Sequence, residues 1–110
     1  MRIEGVPLTV TAWDEVPAVE HRGETGTSTW RIVERGNLRV RVVDYSAGFK
    51  SDHWCARGHV LYVLEGELDL RLKDGREFVL SPGMSFQAED DESNPHLAWT
   101  DRGARVFIVD

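Results

Sequence analysis

Short stretches of alternating apolar and polar residues, separated by turn residues, constrain the fold of this chain more than any other feature. Residues 38–43 and 68–73 alternate in this way, as expected of strands with one face buried and the other in water. Asp74-Gly75 follows the second stretch at once and is a preferred pair for a tight hairpin turn. Ten glycines and four prolines interrupt the chain, and no long stretch keeps the 3.6-residue spacing of a helix. The pattern predicts an all-β sandwich or barrel.

Other segments depart from simple alternation. Residues 60–64 and 106–109 are apolar on both faces, which is typical of a strand between two packed layers or against a partner. Residues 1–26 are instead predicted to form an N-terminal arm, with a short turn at 13–17 and a loop at 20–26. No domain boundary is visible, so we expect one domain over residues 1–110.

Charge and hydropathy exclude several classes of partner. The net charge of -6 argues against binding to nucleic acid or to an anionic membrane surface, both of which need a basic face. The longest wholly apolar run in the middle of the chain falls far short of the ~20 residues of a membrane helix, and no signal-peptide pattern is visible. We therefore expect a cytoplasmic protein. The single cysteine excludes an intramolecular disulfide.

The residues that carry chemistry cluster between Asp52 and His59. If this segment is a strand, His53 and Cys55 share one face, whereas Asp52 points away from His53. Two imidazoles and a thiolate at a strand corner suit zinc, nickel, copper or ferrous iron, and His96 offers a fourth ligand. Taken singly, each of these residues is more often a packing or hydrogen-bonding group, so the prediction depends on their spacing.

A second candidate site consists of Arg39 and Arg41, which share one face of a predicted strand and are followed there by Tyr45. Two interpretations are open: a solvated outer face, or a lining of the barrel mouth that binds a carboxylate or phosphate through the guanidinium fork. We take the three residues as candidate substrate-binding residues. His21 lies in the predicted loop and receives no role.

These motifs resemble those of the cupin superfamily. The first cupin motif is matched by Gly48, four residues, His53-Trp54-Cys55, three residues, His59, six residues and Gly66. Residues 62–68 are similar to the strand and turn that end this motif, and residues 80–86 are similar to the start of the second motif. More narrowly, Asp52-His53-Trp54-Cys55 resembles the small cupins named for a DHCW motif.

The resemblance implies a double-stranded β-helix (a jelly-roll barrel), a homodimer, and a metal site inside the barrel. By position, His53 matches the first histidine of the family and His96 the last. Cys55 stands in place of the second histidine and His59 in place of the glutamate, which makes the ligand set softer. An acidic insert at residues 89–92 lengthens the path to His96.

We therefore expect a small cupin that binds a divalent transition metal through His53, Cys55, His59 and His96. Its partner would be a small molecule that it binds or converts, and the sequence leaves open whether it is an enzyme. The alternative is a non-catalytic module without metal, in which the barrel holds a small ligand or supports a dimer.

Overall fold

The computed structural model of the chain describes residues 2–110, whose regular secondary structure is almost entirely β-strand. A three-residue 3₁₀ helix, Trp13–Glu15, lies in the N-terminal arm, where the sequence predicted a short turn. No helix within residues 2–110 has the length and apolar character needed to span a membrane. The strands are β1 (Val19–Arg22), β2 (Thr27–Arg35), β3 (Leu38–Tyr45), β4 (His59–Gly66), β5 (Leu68–Leu72), β6 (Glu77–Leu80), β7 (Ser85–Ala88), β8 (His96–Trp99) and β9 (Ala104–Val109).

The strands form two antiparallel sheets that enclose one core. The larger sheet has the order β1-β2-β3-β9-β4-β7, and the smaller has the order β6-β5-β8. Strands distant in sequence are neighbours in space, as in β3 beside β9 and β9 beside β4. This arrangement confirms the predicted all-β fold class and its double-stranded β-helix architecture.

The core consists of the inward side chains of both sheets. In β5, Leu68 and Leu70 are buried and alternate with more exposed residues, as the sequence predicted. Burying one such side chain stabilises the fold by about 1.5–3 kcal/mol. The buried core residues are Val43, Leu61, Val63, Leu68, Leu70, Leu80, Ala104, Val106 and Ile108.

The hairpin between β5 and β6 confirms the turn predicted at Asp74-Gly75. The Gly75 N–H donates to the Leu72 carbonyl at 2.9 Å. Gly75 has a φ of 99°, a conformation that glycine adopts without a steric cost. The turn therefore sets the register in which Leu70 faces Phe78 on the return strand.

β1 lies where the sequence predicted part of an arm and a loop. It pairs with β2 in the register Val19↔Trp30 to Arg22↔Thr27. All four of its residues are exposed, and β1 is an edge strand of the larger sheet. Without a buried face its sequence lacks the alternation that identifies a strand, and the loop prediction for this stretch was wrong.

In β3 the buried face is not the one that alternation indicated. Arg41 and Val43 point inward with Val106 and Ile108 of the neighbouring strand, and both are buried. Val42, on the opposite face, is buried as well. The N-terminal arm covers this outer face, and Trp13 packs edge-on against Phe107 with ring centroids 6.1 Å apart.

Candidate metal centre

Cys55 and His96 are brought together by backbone pairing. They form an isolated antiparallel bridge in which the Cys55 N–H donates to the His96 carbonyl at 2.7 Å. The His96 N–H donates in return to the Cys55 carbonyl at 2.9 Å. His96 is also the first residue of β8, so the smaller sheet holds it in place. The two backbone hydrogen bonds thereby fix Cys55 and His96 as direct neighbours.

His59 completes a cluster of three potential ligands. It is the first residue of β4 and lies in the larger sheet. One ligand atom each from Cys55, His59 and His96 lies within 4.8 Å of the other two. The two imidazole rings are 5.0 Å apart and nearly perpendicular. Three of the four predicted metal ligands therefore converge at one point between the two sheets.

The acidic insert folds back over the segment that carries Cys55. The Gly58 N–H donates to the Asp90 carboxylate at 2.5 Å, and the Asp91 N–H donates to the Ala56 carbonyl at 2.9 Å. A side chain at position 58 would lie 2.5 Å from the Ala88 carbonyl oxygen, so the close approach requires glycine. The insert thus lengthens the path to His96 and still returns that residue to the cluster.

His53 lies outside this cluster. Its side chain is 71% exposed, and its Nδ1 lies 2.7 Å from the Asp52 carboxylate. Residues 52 and 53 form a bend instead of a strand, so the alternation rule does not apply to them. The expectation that Asp52 points away from His53 was wrong for this reason. Asp52 bonds His53, and this pair lies at the rim of the cavity.

A cavity of about 580 Å³ lies over the cluster. This volume falls in the range of about 300–1,000 Å³ that is usual for small-molecule sites. Each predicted site residue contributes to its lining. The lining residues named by the sequence are Arg39, Arg41, Tyr45, His53, Cys55, His59 and His96.

Both histidines of the cluster favour the neutral form that binds metals. Burial and, to a smaller extent, the neighbouring His96 lower the pKa of His59 to about 4. Burial also lowers the pKa of His96. His59 Nδ1 lies 3.5 Å from Asp110 and makes no hydrogen bond within residues 2–110. A buried nitrogen without a partner is costly unless another group satisfies it.

The donor set fits a divalent transition metal. A thiolate and two imidazoles are ligands of zinc, ferrous iron, nickel and copper, whereas magnesium and calcium prefer oxygen. Metal–ligand bonds are about 2.0–2.3 Å long, so donor atoms that lie within 4.8 Å of one another are close enough to share one ion after small adjustments. Three protein ligands would leave a coordination position for water or a small molecule.

Asp110 is the residue of this region that sequence analysis missed. Its carboxylate is 2% exposed and accepts hydrogen bonds from Arg39 Nε at 2.7 Å and Arg39 Nη2 at 2.8 Å. Arg41 Nη2 donates to it at 3.2 Å. Alternation along β9 carries the signal, since Asp110 follows Val106 and Ile108 on the inward face.

Burial raises the pKa of Asp110, but the hydrogen bonds from Arg39 and the charges of the neighbouring arginines outweigh it and hold the pKa below its usual value. The carboxylate is therefore charged at neutral pH. It is the only acidic group among residues 2–110 that the structure pairs with Arg39 or Arg41.

The arginines and Tyr45 line the cavity from β3. The Arg41 guanidinium lies over the Trp30 ring at 4.5 Å, and Tyr45 stacks on Phe49 with centroids 4.6 Å apart. Burial raises the pKa of Tyr45 to about 12, so its hydroxyl stays protonated. Since Arg41 is buried, a solvated outer face does not describe this pair. His21, which had no role from sequence, also lines the cavity beside Trp30 at 4.3 Å.

Comparison with known proteins identifies the fold. No protein-family model matches the sequence, and no curated protein matches it either. Among solved structures, Fe(II)-HppE with the alternative substrate (S)-1-HPP superposes with a TM-score of 0.74 at 23% identity over 94% of this chain and 60% of that chain. Ectoine synthase from P. lautus gives 0.74 at 16% identity over 93% of this chain and 76% of that one. A sugar phosphate isomerase of the cupin superfamily from Silicibacter pomeroyi gives 0.71 at 18%, covering 92% and 74%.

These likenesses define the class of the molecule. The chain has the double-stranded β-helix fold of cupins, which confirms the fold that the sequence resemblance implied. It spans about 60% of the length of the HppE chain. At these identities the shared property is the fold, so the activity of this chain has to be argued from its own residues.

Proposed function

We propose that this chain is a small metal-binding cupin in which Cys55, His59 and His96 hold a divalent transition metal at the base of the cavity. The proposal is carried by one observation: a thiol and two buried imidazoles from three separate segments lie within 4.8 Å of one another. The iron of the structurally similar Fe(II)-HppE supports iron as one candidate beside zinc, nickel and copper. The metal would supply a Lewis-acid or oxygen-activating centre for a small molecule in the cavity.

The proposal also includes the residues that line the cavity, the exposed His53 and the oligomeric state. Arg39, Arg41 and Tyr45 line the cavity and are proposed to contact the small molecule. His53 is proposed as an additional ligand only if it exchanges its bond to Asp52 for the metal. We also propose a cytoplasmic homodimer of the kind that the DHCW-motif resemblance implies.

The test is the metal content of protein purified without a histidine tag and then offered zinc, nickel, copper or ferrous iron. We expect near-stoichiometric metal in the native chain. Cys55→Ser and His96→Ala should weaken binding by more than the roughly 10–100-fold that loss of an outer-shell partner costs. His21→Ala is the matched control, because it removes a cavity histidine outside the cluster and should keep the metal.

The variant His53→Ala distinguishes a metal site of three ligands, without His53, from a site of four ligands that includes it. Retained metal in this variant means that three residues hold the ion, and lost metal means that His53 joins them. A folded native chain that takes up none of the four metals contradicts the proposal and leaves the non-catalytic module as the better description. Circular dichroism of each variant establishes that the loss of metal is not a loss of fold.

A further inference from the structure

The guanidinium fork of Arg39 is already occupied. Arg39 makes two parallel hydrogen bonds to Asp110, at 2.7 and 2.8 Å, which is the bidentate geometry of a strong Arg–carboxylate pair. A ligand carboxylate or phosphate that needed this fork would have to displace a side chain that is 2% exposed. Arg39 can therefore contact the small molecule as part of the cavity wall, but recognition of an anionic group falls to other residues.

Positive charge exceeds negative charge around Asp110. Besides Arg39, its carboxylate faces Arg41 Nη2 at 3.2 Å and Arg57 Nε at 3.6 Å. Three guanidinium groups thus surround one carboxylate. Arginine remains protonated in proteins, so this end of the cavity carries unbalanced positive charge in a chain whose net charge is -6.

Arg41 also has an unused donor. Its side chain is 6% exposed, and its Nε has no hydrogen-bond partner among residues 2–110. Its guanidinium is fixed between the bond to Asp110 and the ring of Trp30. Leaving a buried charged group with an unpaired donor costs free energy, and the charge of an anion in the adjoining cavity would offset part of that cost.

We propose that Arg41 and Arg57 bind an oxyanion group, a carboxylate or a phosphate, of the small molecule that enters the cavity, and that Asp110 is a positioning residue for them. The inference rests on the proposed function, because it takes the cavity as the site of a small molecule. Arg57 lies at the mouth with a half-exposed side chain, whereas Arg41 lies deeper. An anion between them would face the cavity that also contains Cys55 and His59.

The substrate class follows from this placement. A molecule held by its oxyanion at the arginines would extend its remaining atoms into the cavity toward the metal ligands. The volume of about 580 Å³ admits a small organic acid or phosphate ester. Asp110 orients Arg41 without offering its own oxygens to the ligand, since its carboxylate is buried and bonded.

The experiment titrates metal-free protein with inorganic phosphate and, separately, with formate, at constant ionic strength. The Nε–Hε resonances of the arginines are followed by NMR. We expect phosphate, formate or both to shift the Arg41 resonance. Arg57→Gln should raise the dissociation constant of that anion about tenfold, as expected for one charge-assisted hydrogen bond. Arg102→Gln removes the same charge from an exposed turn outside the cavity and should leave the constant unchanged.

An Arg41 resonance that neither anion shifts, or equal weakening in Arg57→Gln and Arg102→Gln, overturns the proposal. Because the titration uses metal-free protein, its outcome is independent of the metal analysis. A chain that binds phosphate but no metal refutes the proposed function alone. A chain that binds metal but neither anion refutes this inference alone.

Discussion

At the scale of single residues, Asp110 is the buried acid that holds the arginines of the cavity wall. Its buried carboxylate is the acceptor that allows Arg39 and Arg41 to enter the barrel as charged groups. A buried ion pair adds little net stability compared with apolar residues, but removal of one partner leaves an uncompensated charge. Removing Asp110 should therefore cost far more free energy of unfolding than removing an acidic residue from an ion pair at the surface.

We predict that Asp110→Ala lowers the free energy of unfolding by about 3–5 kcal/mol, because two guanidinium groups lose their buried acceptor. Urea denaturation measures the change. The matched control is Asp44→Ala, whose carboxylate is 40% exposed and pairs with Arg31 and Arg105. The control should cost less than about 1 kcal/mol, as surface pairs do. Equal losses in the two variants would show that the Asp110 cluster is not the buried network described above.

At the same scale, residue chemistry predicted much of the candidate site. The spacing of Cys55 and His59, with His96 as a further donor, was sufficient to nominate the three residues that cluster. The position of His53 was not predictable, because the bend at residues 52 and 53 reverses the expected side-chain direction. Asp110 was missed because the predicted strand ends at Val109, one residue before it, and its arginine partners on β3 are neighbours only in the folded sheet.

Among the connecting elements, the acidic insert has a role that composition alone does not suggest. It packs its backbone against residues 56–58 and delivers His96 to the metal cluster. The packing depends on Gly58, since an added Cβ would lie 2.5 Å from the Ala88 oxygen and 2.6 Å from the Asp90 nitrogen. Both contacts are with backbone atoms, so the insert itself would have to move.

We predict that Gly58→Ala reduces metal affinity by about tenfold or more, in the range found when outer-shell support of a metal ligand is lost. Isothermal titration with zinc measures the affinity. Gly75→Ala is the control: its φ of 99° strains a side chain, but nothing lies within 4 Å of the added Cβ. This variant should lose stability and keep its metal affinity. If Gly58→Ala binds zinc as tightly as the native chain, the packing of the acidic insert against residue 58 does not support the metal ligands.

Strand prediction succeeded where one face of a strand is buried. β5 and the hairpin to β6 follow from alternation and from Asp74-Gly75, and β9 follows from its apolar run. β1 could not be predicted in this way because all of its side chains are exposed. It is a strand only through its backbone pairing with β2, which alternation does not reveal. The inward face of β3 was misassigned because the arm buries its other face too.

On the scale of the whole molecule, the outer face of the larger sheet is covered on some strands and open on others. The N-terminal arm lies over the outer face of β3 and β9, where Trp13 packs against Phe107. No segment of residues 2–110 buries the outer face of β4, which exposes Val60, Tyr62 and Leu64 at 42, 44 and 41%. These three residues, the β4 stripe, form one face of residues 60–64, one of the two segments that the sequence predicted to be apolar on both faces. Contiguous exposed apolar residues of this kind are typical of protein interfaces.

We predict that the chain forms a homodimer through the β4 stripe and that Tyr62→Lys converts it to a monomer. In a two-fold dimer each substitution occurs on both sides of one interface, so the lost apolar burial of about 1.5–3 kcal/mol counts twice. The dissociation constant should therefore rise about 100-fold or more, which multi-angle light scattering and sedimentation at micromolar concentration measure. Val79→Lys is the control, because Val79 is somewhat more exposed than Tyr62 but lies on β6 in the smaller sheet. A native chain that is monomeric at these concentrations contradicts the prediction. A dimer that persists in Tyr62→Lys but dissociates in Val79→Lys would show that the interface lies on the smaller sheet instead.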